Sequence, residues 1–133
     1  MSIHEITVQT QSRAQMLDIT PQVTQVLKES KIQEGLLVVY VPHTTAAVTI
    51  NENADPSVPQ DILAELNRLI PWTGPYQHRE GNAAAHVKST LVGSTQMVLI
   101  QKGRLQLGTW QGIFFCEFDG PRTRKVWVKI LPG

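Results

Sequence analysis

Cysteine occurs once in the 133 residues, at Cys116. A lone cysteine rules out an intramolecular disulfide and fits a reducing compartment, so the sequence predicts a cytoplasmic protein. Cys116 lies in the apolar run Gly112–Phe118, where it reads as a small buried hydrophobe rather than a nucleophile. Net charge is also nearly absent. Twelve Lys and Arg against eleven Asp and Glu leave +1, without the basic excess that nonspecific nucleic-acid binding needs. No apolar run approaches the roughly 20 residues of a membrane span, so no membrane association is expected. No basic, apolar, then small-residue pattern of a secretory signal opens the chain. Compact chemical motifs are missing too: no His-Glu-x-x-His, Cys-x-x-Cys, Gly-x-Ser-x-Gly elbow or Walker loop. Covalent catalysis thereby loses its usual signature. Repeats, low-complexity tracts and linkers are absent as well, which leaves one domain over residues 1–133, long enough for a core without staples.

Hydropathy patterning predicts the elements. Ile3–Thr10 reads as a strand, with His4 facing solvent, and a short extended piece follows at Met16–Ile19. Thr20-Pro21 then pairs an N-cap residue with proline at the first helical position, and Val23, Val26 and Leu27 repeat at helical spacing. Leu36–Val41 is a continuous apolar run, as in a strand covered on both faces. Pro42 closes it and Ala46–Ile50 resumes an extended pattern, so His43-Thr44-Thr45 falls at a strand-to-strand junction. Asn51–Pro56 reads as a loop, Pro59–Ile70 as the strongest amphipathic helix, and Asn82–Leu91 as a further helix ended by Gly93. Met97–Ile100, Arg104–Leu107, Ile113–Phe118 and Arg124–Ile130 are strands separated by turns, the last alternating cleanly. Trp110 either lines a pocket or caps the core. The fold class is α+β: a largely antiparallel, β-sandwich-like sheet with two or three helices.

Histidine is concentrated in the polar middle of the chain. His43, His78 and His86, with Glu52 nearby, supply metal-ligand chemistry, and three neutral imidazoles with one open position suit zinc. The same residues suit acid–base work, because imidazole titrates nearest neutrality. Asn82 and His86, four residues apart, share one helix face. Asp55 either joins this set or caps the next helix. Arg122 and Arg124 flank a Gly-Pro turn and read equally well as phosphate contacts or as a solvated turn. Lys88, on the helix of His86, adds a cation. Gly108 and Gly112 flank Gln111 in a segment where backbone amides can approach a ligand closely.

Pro42-His43-Thr44-Thr45-Ala46, Asn51 through Pro56, His78 through His86 and Leu107 through Ile113 stand in that order, with Pro121-Arg122 beyond them. Together they resemble the YjbQ-like family, sometimes labelled secondary thiamine-phosphate synthase, over almost the whole chain. The resemblance implies a homotrimer whose polar motif residues gather in one pocket: His43, Thr44, Asn51, Glu52, Asp55, His78, Asn82, His86, Gly108, Gln111 and Arg122. It also implies thiamine-phosphate synthesis as a side activity, joining a pyrimidine-methyl diphosphate to a thiazole phosphate. Under that reading Glu52, Asn82, Gln111 and Arg122 are the catalytic candidates, and Thr44, Lys88 and Gly108 contact cofactor or phosphate. His43, His78 and His86 hold a divalent metal, zinc or magnesium. The partner is a small phosphorylated or heterocyclic metabolite. The alternative is a noncatalytic trimer that binds a metal or metabolite.

Overall fold

The alternation at the C-terminus organises the molecule. In β8 (Thr123–Pro132) Arg124, Val126, Val128 and Ile130 are buried and their neighbours are more exposed, the two-residue period of a strand covered on one face. β8 lies between β1 (His4–Gln9) and β3 (Gly35–Tyr40); β5 (Thr95–Gln101) and β6 (Arg104–Leu105) continue the sheet in the order β1-β8-β3-β5-β6. A second sheet has the order β2-β7-β4, from β2 (Gln15–Asp18), β7 (Gln111–Glu117) and β4 (Ala46–Glu52). All pairings are antiparallel. These features come from a computed structural model that describes residues 2–133.

The core lies between the sheets. Leu37, Val39, Val126, Val128 and Ile130 from the larger sheet meet Val48, Ile113 and Phe115 from the smaller, and α1 (Thr20–Ser30) adds Val23, Val26 and Leu27. The other face of the small sheet carries Ala47, Phe114 and Cys116. It packs on Leu63 and Leu66 of α2 (Ser57–Leu69) and Ala85 of α3 (Ala83–Val92). β7 is therefore covered on both faces, which is why Gly112–Phe118 shows no alternation. Burial there pushes the Cys116 thiol up to about 12, as an inert core residue requires. The architecture is the expected α+β sandwich-like fold, with three helices. Among the described residues no helix is long and apolar enough to cross a membrane.

Four local expectations are corrected. Asn51 and Glu52 are not loop residues; they extend β4 because Gly112 and Gln111 offer ladder partners. The strand at Arg104–Leu107 stops at Leu105, where Leu107 N–H turns back to the Leu105 carbonyl at 2.9 Å. Thr20 is already helical and does not cap α1. Asp18 Oδ1 accepts its N–H at 2.9 Å, and the Thr20 hydroxyl oxygen accepts from Ile113 N–H at 2.8 Å. Trp110 caps nothing, being 62% exposed.

Candidate active-site cleft

One end of the larger sheet is open because β3 stops early. Its last pair with β8 is Tyr40 with Trp127, so Lys125, two residues earlier on β8, has no β3 partner. His43 Nε2 takes the Lys125 N–H instead, at 2.9 Å. Pro42 cannot donate to a ladder, and the chain leaves the sheet there, bringing the imidazole over the vacated position. Only an unprotonated nitrogen accepts an N–H, so the proton of the neutral ring sits on Nδ1. Burial, and then the nearby Arg124 guanidinium, hold the His43 pKa below its ordinary value.

Beneath His43 lies a buried ion pair. Glu117, the last residue of β7, is fully buried, and Arg124 is 5% exposed. Arg124 donates from Nε to Glu117 Oε1 at 2.8 Å and from Nη2 to Oε2 at 2.5 Å. Nη2 also reaches the hydroxyl oxygen of Thr45 at 2.8 Å. Glu117 accepts further from the Thr10 hydroxyl at 2.8 Å and the Asp119 N–H at 3.0 Å. Burial alone pushes the Glu117 carboxyl up, but these donors outweigh it and hold the pKa below the ordinary value. Gly120 permits the arrangement, since a Cβ there would overlap the Ser12 carbonyl and crowd Thr10 and Glu117.

The opposite wall comes from α3 and the segment before it. Tyr76 ties that segment down by donating to the Pro71 carbonyl at 2.6 Å. His78 and His86 meet edge to face, with ring centroids 5.2 Å apart, and His78 Nε2 lies 4.0 Å from the Glu80 carboxylate. Asp119 links the two walls. Its Oδ2 accepts from Asn82 Nδ2 at 2.9 Å and from Arg122 Nη2 at 3.0 Å. His43, His78, Asn82, His86, Arg122 and Arg124 thus line one cleft of about 780 Å³, with Thr44 and Glu80 at its edge. Asn82 Oδ1 is buried with no partner among the described residues, an acceptor that a ligand N–H or O–H would satisfy.

Other candidates lie elsewhere. β4 starts beside the cleft at Ala46 and carries Glu52 about 20 Å away along the strand. Glu52 pairs there with Gln111, so neither reaches the histidines. Gly108 and Gln111 close a turn on themselves, Gly108 N–H donating to Gln111 Oε1 at 2.8 Å. Asn51 belongs to this far end, and Asp55 accepts from the Ser57 N–H at 2.9 Å, a local turn leading into α2, whose N-cap position is Pro56. Lys88 is not in the cleft either; it is buried and donates to Asn67 Oδ1 at 2.5 Å. A three-imidazole zinc site does not fit one chain as arranged. His43 Nε2 is occupied and its Nδ1 bears the proton, and among the described residues no three His, Cys, Asp or Glu side chains gather as ligands. Glu80, Asp119, Thr45 and Glu117 were not anticipated as site residues, and Arg124, read as a phosphate contact or part of a solvated turn, is instead buried in an ion pair with Glu117 at the cleft. Strict alternation along β8 puts Arg124 on the buried face with Val126 and Val128, and that was the available signal.

Comparison with known proteins agrees with the motif order. A family model described as UPF0047 protein YjbQ-like matches residues 4–133. A UPF0047 protein of Methanocaldococcus jannaschii is 54% identical over 93% of this chain and 90% of its own. The UPF0047 protein YugU of Bacillus subtilis is 51% identical over 93% and 95%. The crystal structure of a YjbQ/UPF0047-family protein from Clostridium acetobutylicum superposes with a TM-score of 0.95 at 52% identity, covering 96% of this chain and 99% of that one.

Proposed function

The chain belongs to the YjbQ-like UPF0047 family, and from that premise we propose a small-molecule enzyme whose cleft takes a phosphorylated or heterocyclic metabolite. The observation that carries this reading is the convergence of His43, His78, His86, Asn82, Arg122 and Arg124 on one cleft. Such a set combines proton carriers with anion-binding donors in a concave site. The His78–His86 pair moves protons, the guanidinium groups hold phosphate oxygens, and Asn82 Oδ1 accepts from a heterocycle amine or hydroxyl. Thiamine-phosphate synthesis matches these parts, since it expels diphosphate and needs its developing charge stabilised. Within one chain Glu52, Gln111, Gly108 and Lys88 lie outside this cleft. The divalent ion enters this reading as magnesium on the diphosphate, and stoichiometric zinc in untagged protein would replace it with a metal centre.

Assembly belongs to the same proposal. Leu36, Val38, Met97, Leu99 and Leu131 fall on the outer face of the larger sheet, with Met97 62% and Leu99 64% exposed. Apolar faces of this kind mark association surfaces. Tyr40 and Trp127, stacked with centroids 5.9 Å apart, join that face to the cleft rim. A homotrimer formed there would finish the cleft wall.

The test is thiamine phosphate and diphosphate release from the two substrates with magnesium. Turnover is expected in wild type and about 10²- to 10⁴-fold less in His86→Ala with its fold intact. Equal turnover in both, or saturable binding without turnover, refutes the enzyme and leaves a noncatalytic binding protein.

A further inference from the structure

The cleft floor has a feature that the proton-carrying pair does not use. Arg124 spends Nε and Nη2 on Glu117 and Thr45, and Nη1 has no protein partner among the described residues although the side chain lines the cleft. Thr45 is buried, and its oxygen accepts from Arg124 while its own O–H stays available to donate. His43 is pinned through Nε2, which leaves a protonated Nδ1 as its second polar atom. Arg122 stands at the mouth, held through Nε and Nη2 by Asp119. All four groups therefore offer N–H or O–H donors.

The carboxylate that balances Arg124 lies behind it, whereas Asp119, the partner of Arg122, lines the cleft itself. Glu117 is fully buried behind Arg124, and the Asp119 side chain is 14% exposed against 51% for Arg122. The Arg124–Glu117 pair is thus a dipole with its positive end toward the cleft. The pairs are already formed, so binding an anion requires no reorganisation of them. Donors from two elements, the β3–β4 junction and β8, suit a tetrahedral oxyanion better than a planar one.

We infer that His43, Thr45 and Arg124 form a built seat for one phosphate group of the ligand. In that seat His43 serves as a fixed neutral hydrogen-bond donor through Nδ1–H rather than as a metal ligand or general base. This deepens the proposed function and rests on the cleft being its ligand site. The seat commits the substrate to carrying a phosphate whose oxygen lies against Nδ1–H of His43 and Nη1 of Arg124. It also separates two tasks among the histidines: His43 holds, while His78 and His86 remain free to exchange protons.

The experiment is a long-range ¹H–¹⁵N spectrum of the imidazole rings at pH 7, followed through a titration with inorganic phosphate. The expected result is a His43 ring protonated at Nδ1 only, whose Nδ1–H signal shifts saturably with phosphate. His43→Leu should weaken phosphate binding about tenfold, the scale of one charge-assisted hydrogen bond. His43→Asn, which places an amide donor near the position of Nδ1, should bind more tightly than His43→Leu. A ring protonated at Nε2, a phosphate-indifferent Nδ1–H, or unchanged affinity in His43→Leu would each overturn the seat. If His43→Leu does not fold, the wild-type spectrum still decides. A phosphate seat without turnover sinks the enzyme alone, and turnover lost in His86→Ala with no phosphate effect at His43 sinks the seat alone.

Discussion

Replacing Glu117 by Gln tests whether the cleft floor is organised by charge. The substitution keeps the shape but leaves the Arg124 guanidinium, 5% exposed, without its counter-ion. Breaking one side of a buried pair costs about 3 to 5 kcal/mol, most of it from the uncompensated charge left behind. For a chain of this length that corresponds to a fall in Tm of about 11 to 18 °C. Arg124→Met removes the opposite partner and should cost a similar amount, because Glu117 then sits buried beside the Thr10 hydroxyl and one backbone N–H. The double variant removes both charges, so its cost should fall short of the summed single costs by at least about 2 kcal/mol. Urea unfolding at pH 7.5, read by circular dichroism at one fixed protein concentration, measures all four proteins. Single-variant losses under about 1 kcal/mol, or strictly additive losses, would refute the reasoning.

Four further outcomes are expected. His43 has a folded pKa below its ordinary 6.5, so the unfolded chain takes up that proton first. Its share of stability is complete above pH 6.5 and declines as pH falls below it; urea midpoints at pH 7.5 and 5.5 should differ less in His43→Asn than in wild type. Cys116, buried with its thiol near 12, should resist a disulfide-exchange reagent in the native protein and react fully in denaturant. If the proposed trimer forms through the exposed outer face of the larger sheet, wild type should have a trimer's mass by light scattering and Leu99→Lys a mass nearer the monomer's; equal masses would refute assembly through that face. Gly120→Ala, whose Cβ would overlap the Ser12 carbonyl, should lower stability by about 1 to 3 kcal/mol in urea unfolding.

Local sequence carried much of the fold and part of the cleft. Pro42 ends β3, and the residues just after it hold His43 at a strand junction because a proline cannot continue the ladder. Asn82 and His86 lie one helical turn apart, and the structure places both on the cleft. Lys88 is two residues past His86, about 200° round the helix, so it faces Asn67 on α2. That miss was legible from periodicity. Glu52 and Gln111 were not, because their motifs are as well formed as those of the histidines. Both lie far along β4 and β7, at the end of the small sheet opposite Ala46 and Glu117. Which end of a strand reaches a site depends on the direction in which its partners run, and that information is non-local.

Glu117 illustrates the same division. Its position after an apolar run marks it as a carboxylate in a buried strand, a costly placement that demands a partner. The partner could be named only once the β7–β8 turn folded Arg124 back beside it and β1 brought in Thr10. Composition, periodicity and punctuation determined the elements, the buried faces and the residue types available for chemistry, because those depend on each residue and its near neighbours. Tertiary structure alone decided that His43 spends one nitrogen on Lys125, that three imidazoles and two guanidiniums share a cleft, and that Glu52 does not. Those facts depend on strand register and on contacts across more than 80 residues of chain, which no local pattern encodes.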